Sequence, residues 1–173
     1  MQQVVAPLAV LAIAAVALAA PVEAQAPRVG RTLLSLNPLG LPFKYVSGEV
    51  EQKLSAIATL GGSVSYLDLN DASYASFEAK LRLYPNEEAF KGFSIGVAAG
   101  VTRVAESVTD APDRSESAPT IAVIADYNWL LGRSKRVLVG TGVGAKRIFG
   151  NNDHFSDVNF AYPTARFQVG VLF

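Results

Sequence analysis

Ser73-Tyr-Ala-Ser-Phe-Glu-Ala-Lys-Leu-Arg-Leu-Tyr84 decides the reading of this chain. Successive side chains of an extended strand point to opposite faces, so Ser76, Glu78, Lys80 and Arg82 share one side and Phe77, Ala79, Leu81 and Leu83 the other. One face is charged and the other wholly apolar. The same period of two recurs on both sides of this segment. Tyr45, Ser47, Glu49, Glu51 and Lys53 oppose Val46, Gly48, Val50 and Leu54. Ile121, Val123, Ala125, Tyr127 and Trp129 oppose Asp126 and Asn128, and Val137, Val139, Thr141, Val143 and Ala145 oppose Gly140, Gly142, Gly144 and Lys146. Near the end, Phe167, Val169, Val171 and Phe173 oppose Arg166, Gln168 and Gly170.

Turn chemistry bounds eight such segments, expected at about Arg31–Asn37, Lys44–Lys53, Ala56–Leu67, Ser73–Tyr84, Gly92–Arg103, Thr120–Leu131, Arg136–Ile148 and Asn159–Phe173. After Ala24 no apolar run is long enough for a membrane helix, and no window carries a helical apolar stripe. The expected fold is therefore all-β, an eight-stranded antiparallel up-and-down transmembrane β-barrel.

The first residues read differently. Residues 4–20 are an unbroken apolar run, followed by Pro21 and the small-x-small pattern Val22-Glu23-Ala24. This is the form of a secretory signal peptide cleaved near Ala24, with residues 25–173 forming the barrel domain. The whole chain has 173 residues, half of them hydrophobic, with 15 basic and 15 acidic groups. So even a balance excludes electrostatic capture of nucleic acid. The absence of cysteine excludes disulfides and thiolate chemistry, and the single histidine excludes a site that needs two imidazoles. No metal and no cofactor are expected.

A soluble periplasmic ligand-binding β-barrel would show the same period with its faces exchanged, so other features must choose between the two. The charged face holds Glu49, Glu51, Glu78 and Asp126 against Lys53, Lys80, Arg82, Lys146 and Arg166, a near-balanced set able to pair in a narrow lumen. Aromatic residues gather at strand ends. Tyr84, Phe93, Tyr127, Trp129 and Phe173 are expected at one rim, and Tyr66, Tyr74, Phe160 and Tyr162 at the other, as membrane-interface girdles. A terminal Phe173 after apolar alternation resembles the signal by which the barrel assembly machinery recognises outer-membrane substrates. The longest link is expected at residues 104–119, an outward loop holding Glu106, Asp110, Asp113 and Glu116 against Arg114. It reads as a solvated loop, with binding of a divalent cation or a surface partner as the alternative.

Leu34-Ser-Leu-Asn-Pro-Leu-Gly40, Glu78-Ala-Lys-Leu-Arg-Leu-Tyr-Pro85 leading to Lys91-Gly-Phe-Ser-Ile-Gly96, and Tyr127-Asn-Trp-Leu-Leu-Gly132 followed by the alternating-glycine strand together resemble a family of small Gram-negative outer-membrane β-barrel proteins. The resemblance implies the fold and an outer-membrane location, with lipid around the barrel, and leaves the role open. A monomer with a structural or surface-interaction role is expected. Asp153-His154-Phe155-Ser156-Asp157 resembles the His-x-Ser pair of small outer-membrane lipid A deacylases, which would make His154 the base and Ser156 the nucleophile. Here the pair follows Gly150-Asn151-Asn152 in an expected outward loop, and no glutamate follows to orient the ring, so no catalysis is expected. Gly140-x-Gly-x-Gly-Ala-Lys146 lacks the spacing and following helix of a phosphate loop and reads as strand. Glu49 and Glu51, the candidate acid and base pair, have basic neighbours and read as salt-bridge partners.

Overall fold

The computed structural model describes residues 30–69, 72–106, 114–150 and 161–173. The expected signal peptide and its cleavage site, His154, Ser156 and Phe160 lie outside the described residues. Eight strands follow in order: β1 (Thr32–Leu36), β2 (Tyr45–Lys53), β3 (Ala58–Leu69), β4 (Ala72–Leu83), β5 (Gly92–Glu106), β6 (Arg114–Leu131), β7 (Val137–Ile148) and β8 (Ala161–Leu172). Each pairs antiparallel with its sequence neighbour, and β1 pairs with β8, so the sheet closes into a barrel.

The polar face lies inside and the apolar face outside. Val143 is 65% exposed and Phe77 55%, whereas Arg82 is fully buried. An eight-stranded lumen is only wide enough for side chains to fill it, and the ladders distribute bulk accordingly by setting large residues against small ones. Glu78 faces Gly100, Arg82 faces Gly96, and Asp126 faces Gly142. A Cβ at Gly142 would overlap the Asp126 carboxylate, and one at Gly100 would lie 2.9 Å from Glu78 Cγ. Among the alternating glycines of β7, Gly142 thus leaves room for the Asp126 carboxylate and Gly140 for the Asn128 and Gln168 amides.

The interior is layered along the barrel axis. At the end of the short turns, Leu33, Tyr84, Ala89, Phe90, Leu138 and Leu172 form an apolar plug, with Leu130 packed against it. The β4–β5 link supplies Tyr84, Ala89 and Phe90, the last two by folding inward. Phe90 takes the left-handed conformation at φ 70 and meets Tyr84 edge-on, with ring centroids 6.4 Å apart. A bulky residue there is uncommon. A charged belt fills the middle, and a layer of hydroxyls around Tyr74 and Tyr162 lies toward the opposite end.

Three sequence expectations change. β5 runs to Glu106 and β6 begins at Arg114, so strand replaces most of the expected 104–119 loop. Pro119 does not stop β6. Its ring nitrogen points toward β7, where pairing ends at Ile148, and its carbonyl still accepts from Phe149 N at 2.9 Å. Among the described strands the longest interval along the chain is therefore that between Ile148 and Ala161, after β7. The expected aromatic girdles also lose members. Tyr84, Tyr74 and Tyr162 share the parity of the charged face and turn inward, whereas Tyr127 and Trp129 stand outside with ring centroids 4.8 Å apart, on the same rim as Phe93 and Phe173. Lys53, expected in the lumen cluster, ends β2 at the turn rim, half-buried, and takes no part in the belt's ion pairs.

Candidate functional site

The belt is assembled by five strands that each carry charge on the inward parity. β2 contributes Glu49 and Glu51, β4 Glu78, Lys80 and Arg82, β6 Asp126, β7 Lys146, and β8 Arg166. Arg82 is its hub. Its Nη1 lies 2.7 Å from Glu49 Oε1 and also contacts Glu51, while Nε lies 2.9 Å from Asp126 Oδ2. A guanidinium suits this place because its planar fork can serve several carboxylates at once. Lys80, on β4 beside Arg82, pairs with Glu49 of β2. Across the lumen, Arg166 Nη2 reaches Glu49 Oε2 at 3.1 Å, and its Nε sits 3.6 Å from Asp126 Oδ1. Four acids thus meet four bases, and the belt is neutral as a unit.

Polar neutral residues complete it. Thr59 Oγ1 donates to Glu51 Oε2 at 2.7 Å, and Gln168 Nε2 donates to Asn128 Oδ1 at 2.8 Å. Gln168 also accepts from Arg166. At the belt's edge toward the hydroxyl layer, Lys146 Nζ lies 2.8 Å from Glu78 Oε1, donates to Ser76 Oγ at 2.9 Å and to Tyr74 Oη at 2.5 Å, and sits over the Tyr74 ring. Tyr74 Oη in turn lies 3.2 Å from Tyr162 Oη. At the turn rim, outside the strands, Lys91 Nζ donates to Glu88 Oε2 at 2.6 Å and holds that carboxyl below its ordinary range.

Of the residues singled out in the sequence, the structure brings Glu49, Glu51, Glu78, Lys80, Arg82, Asp126, Lys146 and Arg166 into one network. His154 and Ser156 lie outside the described residues. Sequence reasoning did not single out Thr59, Tyr74 and Tyr162 as interior partners, although parity places each on the lumen side of its strand. Chemically the belt is a set of mutually satisfied counterions. Each carboxylate already faces a cation, so none stands apart as a base. Among the described residues no group of side chains has the make-up of a metal site.

Set against known proteins, the chain matches no family profile, and no curated protein matches it. Among solved structures it resembles the N-terminal β-barrel domain of Pseudomonas aeruginosa OprF. The likeness is one of fold. It covers 84% of this chain and 100% of that domain, with a TM-score of 0.54 and 11% sequence identity.

Proposed function

We propose that this chain is a small outer-membrane β-barrel with a structural or surface-interaction role, a closed lumen and no catalytic activity. The observation that carries the reading is the inverted polarity of the wall. Apolar side chains cover the outside, while ion pairs and an apolar plug fill the inside. Exposed in water, such a surface would far exceed the patches a soluble monomer tolerates, whereas hydrocarbon suits it and the closed barrel pairs most of its strand backbone within its ladders. The signal-like leader, the resemblance to small Gram-negative outer-membrane barrels and the OprF-like fold support the same location. Within this reading the leader is removed near Ala24, Phe173 is presented to the barrel assembly machinery, lipid surrounds a monomer, and the outward links meet whatever the protein contacts.

Two measurements test it. The folded protein should fractionate with the outer membrane and shift in mobility between boiled and unboiled samples. Trp129, the chain's only tryptophan, should be quenched more by lipids brominated near the headgroup than by those brominated at the chain end. A soluble periplasmic, heat-insensitive protein would overturn the reading. So would steady ion conductance in a planar bilayer, for the closed lumen.

A further inference from the structure

The wall is unevenly closed. β8 pairs with β7 from Ala161 to Val171, yet meets β1 only from Val169 to Leu172, because β1 ends at Leu36. Beyond that point a 3-10 turn, Pro38–Phe43, stands where strand would continue. Asn37 caps it by accepting from Leu39 N at 3.2 Å, and Lys44 N closes it on Leu41 O at 3.1 Å. Pro163 fits the same picture, since its ring nitrogen faces this side of β8, where no ladder runs. Among the described residues, Pro163–Gln168 therefore have no strand partner toward β1.

A cavity of about 110 Å³ lies behind this seam. Leu36 and Ala165, from either side of the seam, both line it, together with Ser35, Ser47, Glu78 and Arg166. Three observations say what it would take. Arg166 and Glu78 keep 19% and 15% of their side-chain surface accessible, more than any other member of the belt's ion pairs, and they carry opposite charges. The Ser35 hydroxyl is buried and has no hydrogen-bond partner. On the 3-10 turn, between the lining residues Asn37 and Tyr45, Leu39, Leu41 and Phe43 are exposed and extend the apolar outer surface. A ligand suited to all three has an anion, a cation and an apolar tail.

We propose that the β1–β8 seam is a lateral port through which a zwitterionic amphiphile of phosphoethanolamine type inserts its head into this cavity. The phosphate meets Arg166, whose guanidinium fork suits phosphate oxygens, and the ammonium meets Glu78. The tail stays outside against Leu39, Leu41 and Phe43. This rests on the outer-membrane reading above, which fractionation and the heat-dependent gel shift test independently of the port.

Because the chain lacks cysteine, single cysteines can report access. Ser35→Cys and Ser94→Cys are matched: both hydroxyls are buried without a partner, and only Ser35 lines the cavity. In the folded barrel in vesicles, a phospholipid bearing a headgroup maleimide should label Ser35→Cys at least about tenfold faster than Ser94→Cys. Faster labelling of Ser35→Cys by a water-soluble maleimide than by the lipid-borne one would place the cavity's opening at the loop end and overturn the port. Equal labelling of both cysteines by the lipid-borne reagent would overturn it too. Native mass spectrometry of barrel extracted from mixed vesicles tests the head. Phosphatidylethanolamine should be retained over phosphatidylglycerol, and Arg166→Gln and Glu78→Gln, each checked for the folded gel band, should lower retention about tenfold, the size of one charge-assisted hydrogen bond. Soluble glycerophosphoethanolamine should compete weakly, since it lacks the tail. Equal retention of the two lipids, or competition as strong as that of the lipid, would overturn the assignment of an amphiphile with this head.

Discussion

Replacing Arg82 by methionine removes the hub of the belt while keeping a long apolar stem, and the contacts say which partner suffers. Glu49 keeps Lys80 and Arg166, and Asp126 keeps Arg166 at 3.6 Å. Glu51 keeps only the Thr59 hydroxyl at 2.7 Å, and it is 1% exposed. Breaking a buried pair by removing one partner costs about 3–5 kcal/mol, chiefly because the remaining charge is stranded. Arg82→Met should therefore lose about that much. Adding Glu51→Gln should recover about half of it or more, since the neutral amide still accepts from Thr59. Glu51→Gln alone, which leaves Arg82 with Glu49 and Asp126, should cost less than Arg82→Met. The assay is reversible urea unfolding of the barrel in lipid vesicles, followed by Trp129 fluorescence and by the heat-dependent gel band. A loss below about 1 kcal/mol in Arg82→Met, or no recovery on adding Glu51→Gln, would refute the assignment of Glu51 as the stranded charge.

Phe90 offers a second contrast. Phe90→Ala should cost about 3 kcal/mol for the lost ring, and Phe90→Gly should unfold at higher urea than Phe90→Ala, by about 1 kcal/mol, because φ 70 favours glycine. Gly142→Ala should cost about 2 kcal/mol in the same assay by forcing a Cβ onto the Asp126 carboxylate, while Gly48→Ala, whose Cβ would find its nearest atom at 3.9 Å, should stay within about 0.5 kcal/mol of the parent. Glu88 has its pKa lowered in the folded chain by the hydrogen bond from Lys91, so its contribution is present above the ordinary carboxylate range and fades as pH falls through the lowered value. Glu88→Gln should flatten that acid limb slightly, and high salt should do the same to the parent because the pair is exposed.

The barrel was legible in the sequence because period two and the chemical contrast of the two faces are written in the same residues. Of the charges on inward parity, the wall brings eight together from five strands. The misplacements have physical causes. Distance along the strand puts Tyr84, Tyr74 and Tyr162 at the rims, whereas facing is decided by odd and even position, and each shares its parity with Arg82 or Arg166. Pro119 and the acidic residues around it read as loop, but a proline is harmless where its missing N–H faces the end of a ladder. Lys53 has the right parity and sits one step too near the rim. Phe90 and the inward fold of the β4–β5 link carry no periodic signal at all. The seam is equally silent, because how far β1 and β8 pair depends on closure between the two ends of the sequence.

That closure also bears on how the barrel comes together. Every other ladder joins strands adjacent in the chain, and β5 with β6 makes fifteen register pairs. The β1–β8 ladder alone links distant segments, and it has four. Seven ladders between chain neighbours can therefore zip through local encounters before the remote ends meet. The last step carries the largest chain-entropy cost for the fewest backbone bonds. Shaving a pair of residues from Thr32 or Leu172 would then leave a nearly complete sheet with two raw edges, slow to seal and open to pairing with a neighbouring chain.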